Sequence, residues 1–251
     1  MSRPAPADDF TEDRLLGGRV VLRQPRQGYR AAIDPVFLAA AVPAQAGDSV
    51  LDVGCGAGAA MLCLARRVEE CRVAGIDTQR ELVRLAGDNV LLNGVGSRVT
   101  VMSGDLLRPP PRLEPGSFAH AMANPPYLDA TSGTPPPDGG KAVAHVEGEA
   151  DLAAWVKFAL TMVRAKGSVT FIHRADRLDR LLAELSGRAG AIEFFPLWAG
   201  EGKPAKRVIL RARKGVATPM RVLPGLVLHE ADGRYTAAAD AVLRGAAALV
   251  L

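Results

Sequence analysis

The 251 residues contain only three cysteines, Cys55, Cys63 and Cys71, and no two of them are spaced as Cys-x-x-Cys. That excludes a disulfide framework and a zinc knuckle, and it points to a reducing, cytoplasmic setting with no bound metal. No apolar run approaches the roughly 20 residues of a membrane-spanning helix. The first nine residues, Met1 to Asp9, lack the apolar stretch of a signal peptide and read as a disordered tail. There is no internal repeat and no linker between domains. The expectation is one domain over 1–251, with a tail at 1–12, a hairpin and helix at 13–47, a core at 48–215 and an extension at 216–251.

Hydrophobic residues make up 48% of the chain, enough for one sizeable α/β core. The net charge is +4, and its distribution says more than its sum. From Lys203 to Arg221 there are seven basic residues and no acid, and Arg19, Arg23, Arg26 and Arg30 form a second acid-free group. Such clusters suit either solvated strand edges, where they discourage aggregation, or a surface facing RNA.

Apolar runs alternate with helical periodicity through most of the chain. Strands are expected at 19–23, 49–53, 72–76, 99–102, 118–123, 168–172, 192–198 and 207–212, with a short one at 226–229. Helices are expected at 33–42, 59–68, 80–93, 152–162 and 178–186, and from about Thr236. Asp34 is a candidate cap for the first helix, with Pro35 behind it. The alternation predicts a mostly parallel sheet with helices on both faces, and ligands at the carboxyl ends of the strands. The Pro- and Gly-rich stretch 128–150 is expected to be a lid.

Four features fall at those strand ends. Gly54, Gly56 and Gly58 form Gly-x-Gly-x-Gly between a strand and a helix, so the backbone can approach a ligand. The dinucleotide fingerprint is Gly-x-Gly-x-x-Gly, and Asp52 before the turn would repel a pyrophosphate. An acid there suits an ammonium, and S-adenosylmethionine carries both an ammonium and a sulfonium. Asp77 can accept from ribose hydroxyls or cap the next helix. Asp105 can accept from an adenine amine while Leu106 packs on the ring, or it can be a turn aspartate. In Asn124-Pro125-Pro126-Tyr127, the Asn124 amide oxygen and the Pro125 carbonyl can both accept from one NH2 group. That draws the nitrogen toward a pyramidal geometry and exposes its lone pair. The prolines fix the acceptors, and Tyr127 offers a face for stacking a base. His173 and His145 read as structural or solvated, and Trp155 and Trp198 as core residues.

These residues resemble class I S-adenosylmethionine-dependent methyltransferases that act on amino groups. Leu51-Asp-Val-Gly-Cys-Gly-Ala-Gly58 resembles their first motif and Asn124 to Tyr127 their catalytic motif. The closer resemblance is to the bacterial tRNA(Val) adenine-N6 methyltransferase family, on 11–18, Gln24 to Arg30, Ile33-Asp34, Ile172 to Arg174, Asp176 to Leu178, Lys206-Arg207 and Arg213 to Gly215. The resemblance implies a Rossmann-like fold with a mostly parallel seven-stranded sheet. It implies methylation of adenine N6 in a tRNA anticodon loop, with Arg30 and Asp34 near the methionine end of the cofactor. Arg207, Arg211, Arg213 and Lys214 are the expected holders of RNA phosphates.

The nearest rival is a protein-glutamine methyltransferase, because a glutamine amide is also a planar NH2. Those enzymes usually carry a helical N-terminal domain, whereas fewer than 50 residues here precede the first core strand. A DNA adenine methyltransferase would need a target-recognition domain, and none is evident. A non-catalytic RNA-binding module would have no use for an intact Asn-Pro-Pro-Tyr.

Overall fold

The computed structural model describes residues 10–27, 30–126 and 150–251. It opens with an antiparallel hairpin, β1 (Phe10–Leu15) and β2 (Val20–Pro25), joined by a 3-10 turn at Leu16–Gly18. The expected tail of 1–12 therefore ends sooner, because 10–12 already pair with β2. The hairpin is tied to the core by two asparagines of helix α3 (Arg80–Leu92) and its cap. Asn89 Oδ1 accepts from the Arg23 N–H at 2.9 Å, and Asn89 Nδ2 donates to the carbonyls of Arg23 and Ala57, each at 2.9 Å. One turn later, Asn93 repeats the exchange with the N–H and carbonyl of Val21. Asn89 is fully buried, so its amide is satisfied only through these bonds.

Helix α1 (Asp34–Ala41) follows, then β3 (Ser49–Val53), α2 (Ala59–Arg67), β4 (Arg72–Asp77), α3, β5 (Val99–Ser103) and β6 (Phe118–Ala123). Beyond residue 149 come α4 (Leu152–Met162), β7 (Val163–Arg174), α5 (Leu178–Leu185), β8 (Ala189–Trp198) and β9 (Ala205–Lys214). The chain then adds β10 (Arg221–Val222), β11 (Leu226–Val227) and α6 (Ala237–Leu243).

The main sheet runs β5-β4-β3-β6-β7-β9-β8. The two-residue strands β10 and β11 extend it beyond seven by pairing parallel with β8. β5, β4, β3, β6 and β7 are parallel, and β9 lies antiparallel between β7 and β8. Side chains alternate between two cores, as the period of a buried strand requires. Val50 joins α1, α2 and α3 on one face, while Leu51 and Val53 meet α4 and α5 on the other. Asp151 caps α4 through the Ala154 N–H at 2.9 Å, and Thr236 caps α6 through Ala239 at 3.1 Å.

Two expectations change. Asp34 is not a cap, since Ile33 holds that position and accepts from the Val36 N–H at 3.0 Å. β7 begins at Val163 rather than 168, because its register with β6 shifts after Phe118 and lets the strand start earlier. The expected lid at 128–150 lies almost wholly outside the described residues.

Candidate functional site

Strand order reverses at β3, from which the chain builds outward first to β4 and β5 and then to β6 and β7. Such a switch point leaves a crevice at the carboxyl ends of the strands. A cavity of about 500 Å³ lies there, within the roughly 300–1,000 Å³ of small-molecule sites. Asp52, Gly54, Gly56, Asp77, Asp105 and Leu106 line it, and so do Asn124, Pro125 and Pro126.

The glycine turn is shaped by its backbone. Gly54, Gly56 and Gly58 have φ of 68°, 54° and 94°, a region costly to any residue with a Cβ. The N–H groups of Gly54 and Cys55 donate to the Ile76 carbonyl at 2.8 and 3.0 Å, holding the turn against β4. A Cβ on Gly54 would stand 2.3 Å from the Trp155 ring. Gly58 does not line the cavity; its φ starts α2, and a Cβ there would strike Met61 at 2.5 Å. We expect Gly54→Ala to cost about 2–4 kcal/mol in stability, from the unfavourable φ together with overpacking. Thermal melting should show a clear drop, and the drop caused by Gly54→Ala should be smaller when it is made in a Trp155→Ala background; an unchanged melting temperature would refute the steric argument.

The acids differ in environment. Asp52 is 2% exposed, and its Oδ2 accepts from the Met61 N–H at 3.1 Å. Burial, with the nearby Asp77 charge adding to it, pushes its pKa up to about 8. Asp77 accepts from the N–H groups of Gly56 and Gln79, each at 2.9 Å. Burial raises its pKa despite those bonds. Asp77 therefore both fixes the glycine turn and starts the chain into α3. Asp105 accepts from the Leu107 N–H at 2.9 Å and faces Arg108 at 3.6 Å, so it shapes its own turn at the cavity wall.

Asn124 stands at the first position beyond β6, half-buried, with Pro125 buried behind it. Each proline fixes its own φ and drives the preceding residue to extended backbone, so the Pro125 carbonyl has little freedom. Tyr127 lies outside the described residues.

Arg30 and Asp34 are placed differently from expectation. Neither lines the cavity, although their neighbours Ala31 and Pro35 do. Arg30 binds Asp13 at 2.6 Å and Thr11 at 2.5 Å, and Asp34 pairs with Arg207 at 2.8 Å. The four expected RNA-binding residues do not form one surface. Arg207 pairs in register with Arg174 of β7, at the cavity end of the sheet. Arg213 pairs with Ser168, six residues or roughly 20 Å along the strand. Arg211 is bonded to Glu193 at 2.6 Å and to the Ala41 carbonyl at 3.1 Å, and Lys214 to the Val163 carbonyl at 2.9 Å. Arg211 and Lys214 are therefore structural ties. Among the exposed cations at the cavity end are Lys203 and Lys206.

Trp155, expected in the core, lines the cavity while 9% exposed. Its Nε1 is buried with no hydrogen-bond partner among the described residues. No local pattern could have marked it, because its place depends on α4 returning across β3. His173 is buried, and burial together with Arg177 and Arg207 lowers its pKa to about 4, so it stays neutral. Among the described residues no group of three His, Cys, Asp or Glu could hold a metal ion, and no helix is long and apolar enough to cross a membrane.

The donor set fits the cofactor expected from the motifs. It offers two buried carboxylates for a cation and ribose hydroxyls, and a glycine turn that leaves room for close approach.

The comparisons agree with this geometry. A family model described as a methyltransferase domain matches residues 50–133, the span from β3 through the Asn-Pro-Pro-Tyr motif. The chain is 25% identical, over 84% of its length and 87% of the relative's, to a tRNA1(Val) (adenine(37)-N6)-methyltransferase of Aeromonas hydrophila. It is 29% identical over 54% of its length to the rRNA N(6)-adenosine-methyltransferase metl-5 of Caenorhabditis elegans, spanning 56% of that protein. Among solved structures, a predicted O-methyltransferase, protein Atu636 of Agrobacterium tumefaciens, superposes with a TM-score of 0.72. That match has 23% identity and covers 86% of this chain and 98% of the other, a likeness of fold.

Proposed function

We propose that the chain is a class I S-adenosylmethionine-dependent methyltransferase, a reading supported by the methyltransferase-domain match and the fold, and that the nitrogen it methylates is the exocyclic N6 of an adenine in RNA. We take the substrate to be a tRNA, at the anticodon loop. The observation that carries this reading is the approach of Asn124, Pro125 and Pro126 to the same cavity as Asp52 and Asp77. Relatives named for adenine-N6 methylation of tRNA and of rRNA support it.

S-adenosylmethionine is the cofactor and supplies an electrophilic methyl group on a sulfonium. Asn124 and the Pro125 carbonyl accept the two N–H bonds of the target amine and turn its lone pair toward that methyl. As the nitrogen–carbon bond forms, the methyl–sulfur bond would break and its electron pair return to sulfur, leaving a neutral thioether, while the nitrogen becomes cationic and its proton turns acidic. It then passes to water, so no histidine base is needed, in keeping with the buried, neutral His173. Tyr127 gives the extruded base a stacking face. Lys203 and Lys206, at the cavity end of the sheet, hold the flanking phosphates.

Incubation with labelled cofactor and, separately, total tRNA, ribosomal RNA and protein extract tests the reading. Label is expected as N6-methyladenosine in the tRNA fraction. Label confined to ribosomal RNA would move the substrate, and label on protein glutamine would overturn the adenine assignment. With about three phosphates neutralised, log affinity for tRNA should fall with log salt at a slope near −2. Lys203→Ala with Lys206→Ala should flatten that slope by about 1.4; a slope already near zero in the parent would count against any phosphate contact.

A further inference from the structure

The strongest feature outside the cleft lies at the other end of the sheet. β3, β6 and β7 are parallel, so their amino ends share the face opposite the methyl-transfer site. A second cavity, of about 740 Å³, opens there. The five residues of β3 put it roughly 16 Å from the first.

Asp48, His120 and Ser168 form its floor. His120 Nε2 lies 3.2 Å from Asp48 Oδ2, and His120 Nδ1 lies 2.7 Å from Ser168 Oγ. Burial opposes ionisation of Asp48, but bonds from the Gln45 N–H and His120 outweigh it and hold the carboxyl below its ordinary pKa. An ionised carboxylate only accepts, so Nε2–H donates to Asp48 and Nδ1 accepts from the Ser168 hydroxyl. Burial lowers the His120 pKa, which leaves the ring neutral in that tautomer. Ser168 is 4% exposed, so the trio sets the shape of the floor and offers no accessible nucleophile.

The rim carries the charge. Arg164, Lys166, Arg211, Arg213 and Arg221 line the cavity against two carboxylates, Asp48 and Glu193, an excess of three positive charges. Glu193 is engaged by both Arg211 and Arg221. Arg164 has Asp48 only at 3.8 Å, and Lys166 and Arg213 form no ion pair among the described residues. The Arg213 guanidinium instead donates to the Lys166 carbonyl at 3.2 Å.

The backbone supplies an independent sign. Four non-glycine residues among those described have positive φ, and two of them, Lys166 at 60° and Ala191 at 47°, line this cavity. Such strain persists only where the surroundings impose it, and it concentrates at ligand sites. The Arg213 bond fixes the first, and a 2.7 Å bond from the Ala191 N–H to the Thr218 carbonyl fixes the second.

We propose that this cavity is a second binding site, separate from the methyl-transfer cleft, and that it takes a phosphate group held by Arg164, Lys166 and Arg213. Two guanidinium forks and an ammonium, set around a rigid floor whose one carboxylate, Asp48, is already engaged by His120, match a multiply charged tetrahedral oxyanion. The phosphate can come from an RNA chain or from a small phosphorylated compound, and the recognition chemistry is the same.

Calorimetric titration of the full chain with inorganic pyrophosphate at low salt tests the site. Saturable binding is expected, weakened at least about tenfold by Arg164→Ala with Arg213→Ala. Lys166→Glu, at an exposed position, should weaken it comparably, while cofactor binding stays unchanged in every variant. Absence of saturable binding, or equal affinity in parent and variants, overturns the proposal. A short RNA added as competitor separates the two sources. Displacement of pyrophosphate identifies an RNA phosphate as the occupant, and persistence of pyrophosphate binding identifies a small phosphorylated compound; either result keeps the site.

Discussion

Asn124→Ala should lower the turnover of methyl transfer by roughly 10²–10³-fold while cofactor affinity stays within about threefold. The expectation follows from where the residue stands. Asn124 is the first residue past β6, and Asp52 and Asp77, at the ends of the neighbouring strands, line the same cavity from the cofactor side. On the proposed mechanism, truncating Asn124 removes one of the two acceptors for the target amine and leaves the glycine turn untouched. The Pro125 carbonyl remains, fixed by its own ring and by Pro126, and accounts for residual turnover. Asn124→Asp keeps an acceptor oxygen of the same reach and should lose less. Single-turnover rates and equilibrium cofactor binding, measured on the same preparations, separate the two effects. An unchanged rate in the alanine variant would remove the amide from the mechanism, and a parallel loss of cofactor affinity would make Asn124 a cofactor ligand.

Much of this site could be read from the sequence because its parts are local. Asp77 and Asn124 each end a short apolar run and Asp52 stands one residue before such an end, and in a parallel sheet such runs terminate on one side. Gly54, Gly56 and Gly58 announce a turn by themselves, since no other residue tolerates those φ values cheaply. What stayed hidden depends on distance along the chain. Asp34 looks like a helix cap in sequence, but Arg207, 173 residues away, draws it into an ion pair. The basic run from Lys203 to Arg221 looks like one surface. Strand geometry spreads it from one end of the sheet to the other, and Glu193 absorbs part of its charge. Phe10 to Glu12 carry no apolar alternation to mark a strand. They become one because β2 is clamped by Asn89 and Asn93 and presents a free edge. Trp155 enters the cavity only through the return of α4 across β3, which no local pattern encodes.

Cofactor binding near pH 7 should release close to one proton, and Asp52→Asn should abolish that release. Asp52 is 2% exposed and its pKa stands at about 8, against 3.8 for the free side chain, chiefly through burial. In the folded protein without cofactor, Asp52 is therefore mostly protonated at pH 7, whereas in the unfolded chain it is ionised. The folded state binds the extra proton between these two values, so stability from this group is full below pH 3.8 and is lost as pH rises through about 8. By pH 7 the loss is on the order of 4 kcal/mol, which a neutral isostere at position 52 would not suffer. Asp52→Asn should thus raise the melting temperature of the cofactor-free protein at neutral pH by up to roughly 10 °C. A cation entering the cavity reverses the balance, because it favours the carboxylate and expels the proton. Affinity of the parent for S-adenosylmethionine should then climb about tenfold per pH unit between roughly 5.5 and 7.5. In Asp52→Asn the same profile should be flat and the affinity lower. Calorimetry in buffers of different ionisation enthalpy measures the proton directly. A binding enthalpy independent of buffer in the parent would show that Asp52 keeps its proton and does not meet the cofactor's charge. A variant that melts no higher than the parent would show that burial of this carboxyl is compensated in the folded state by something other than protonation.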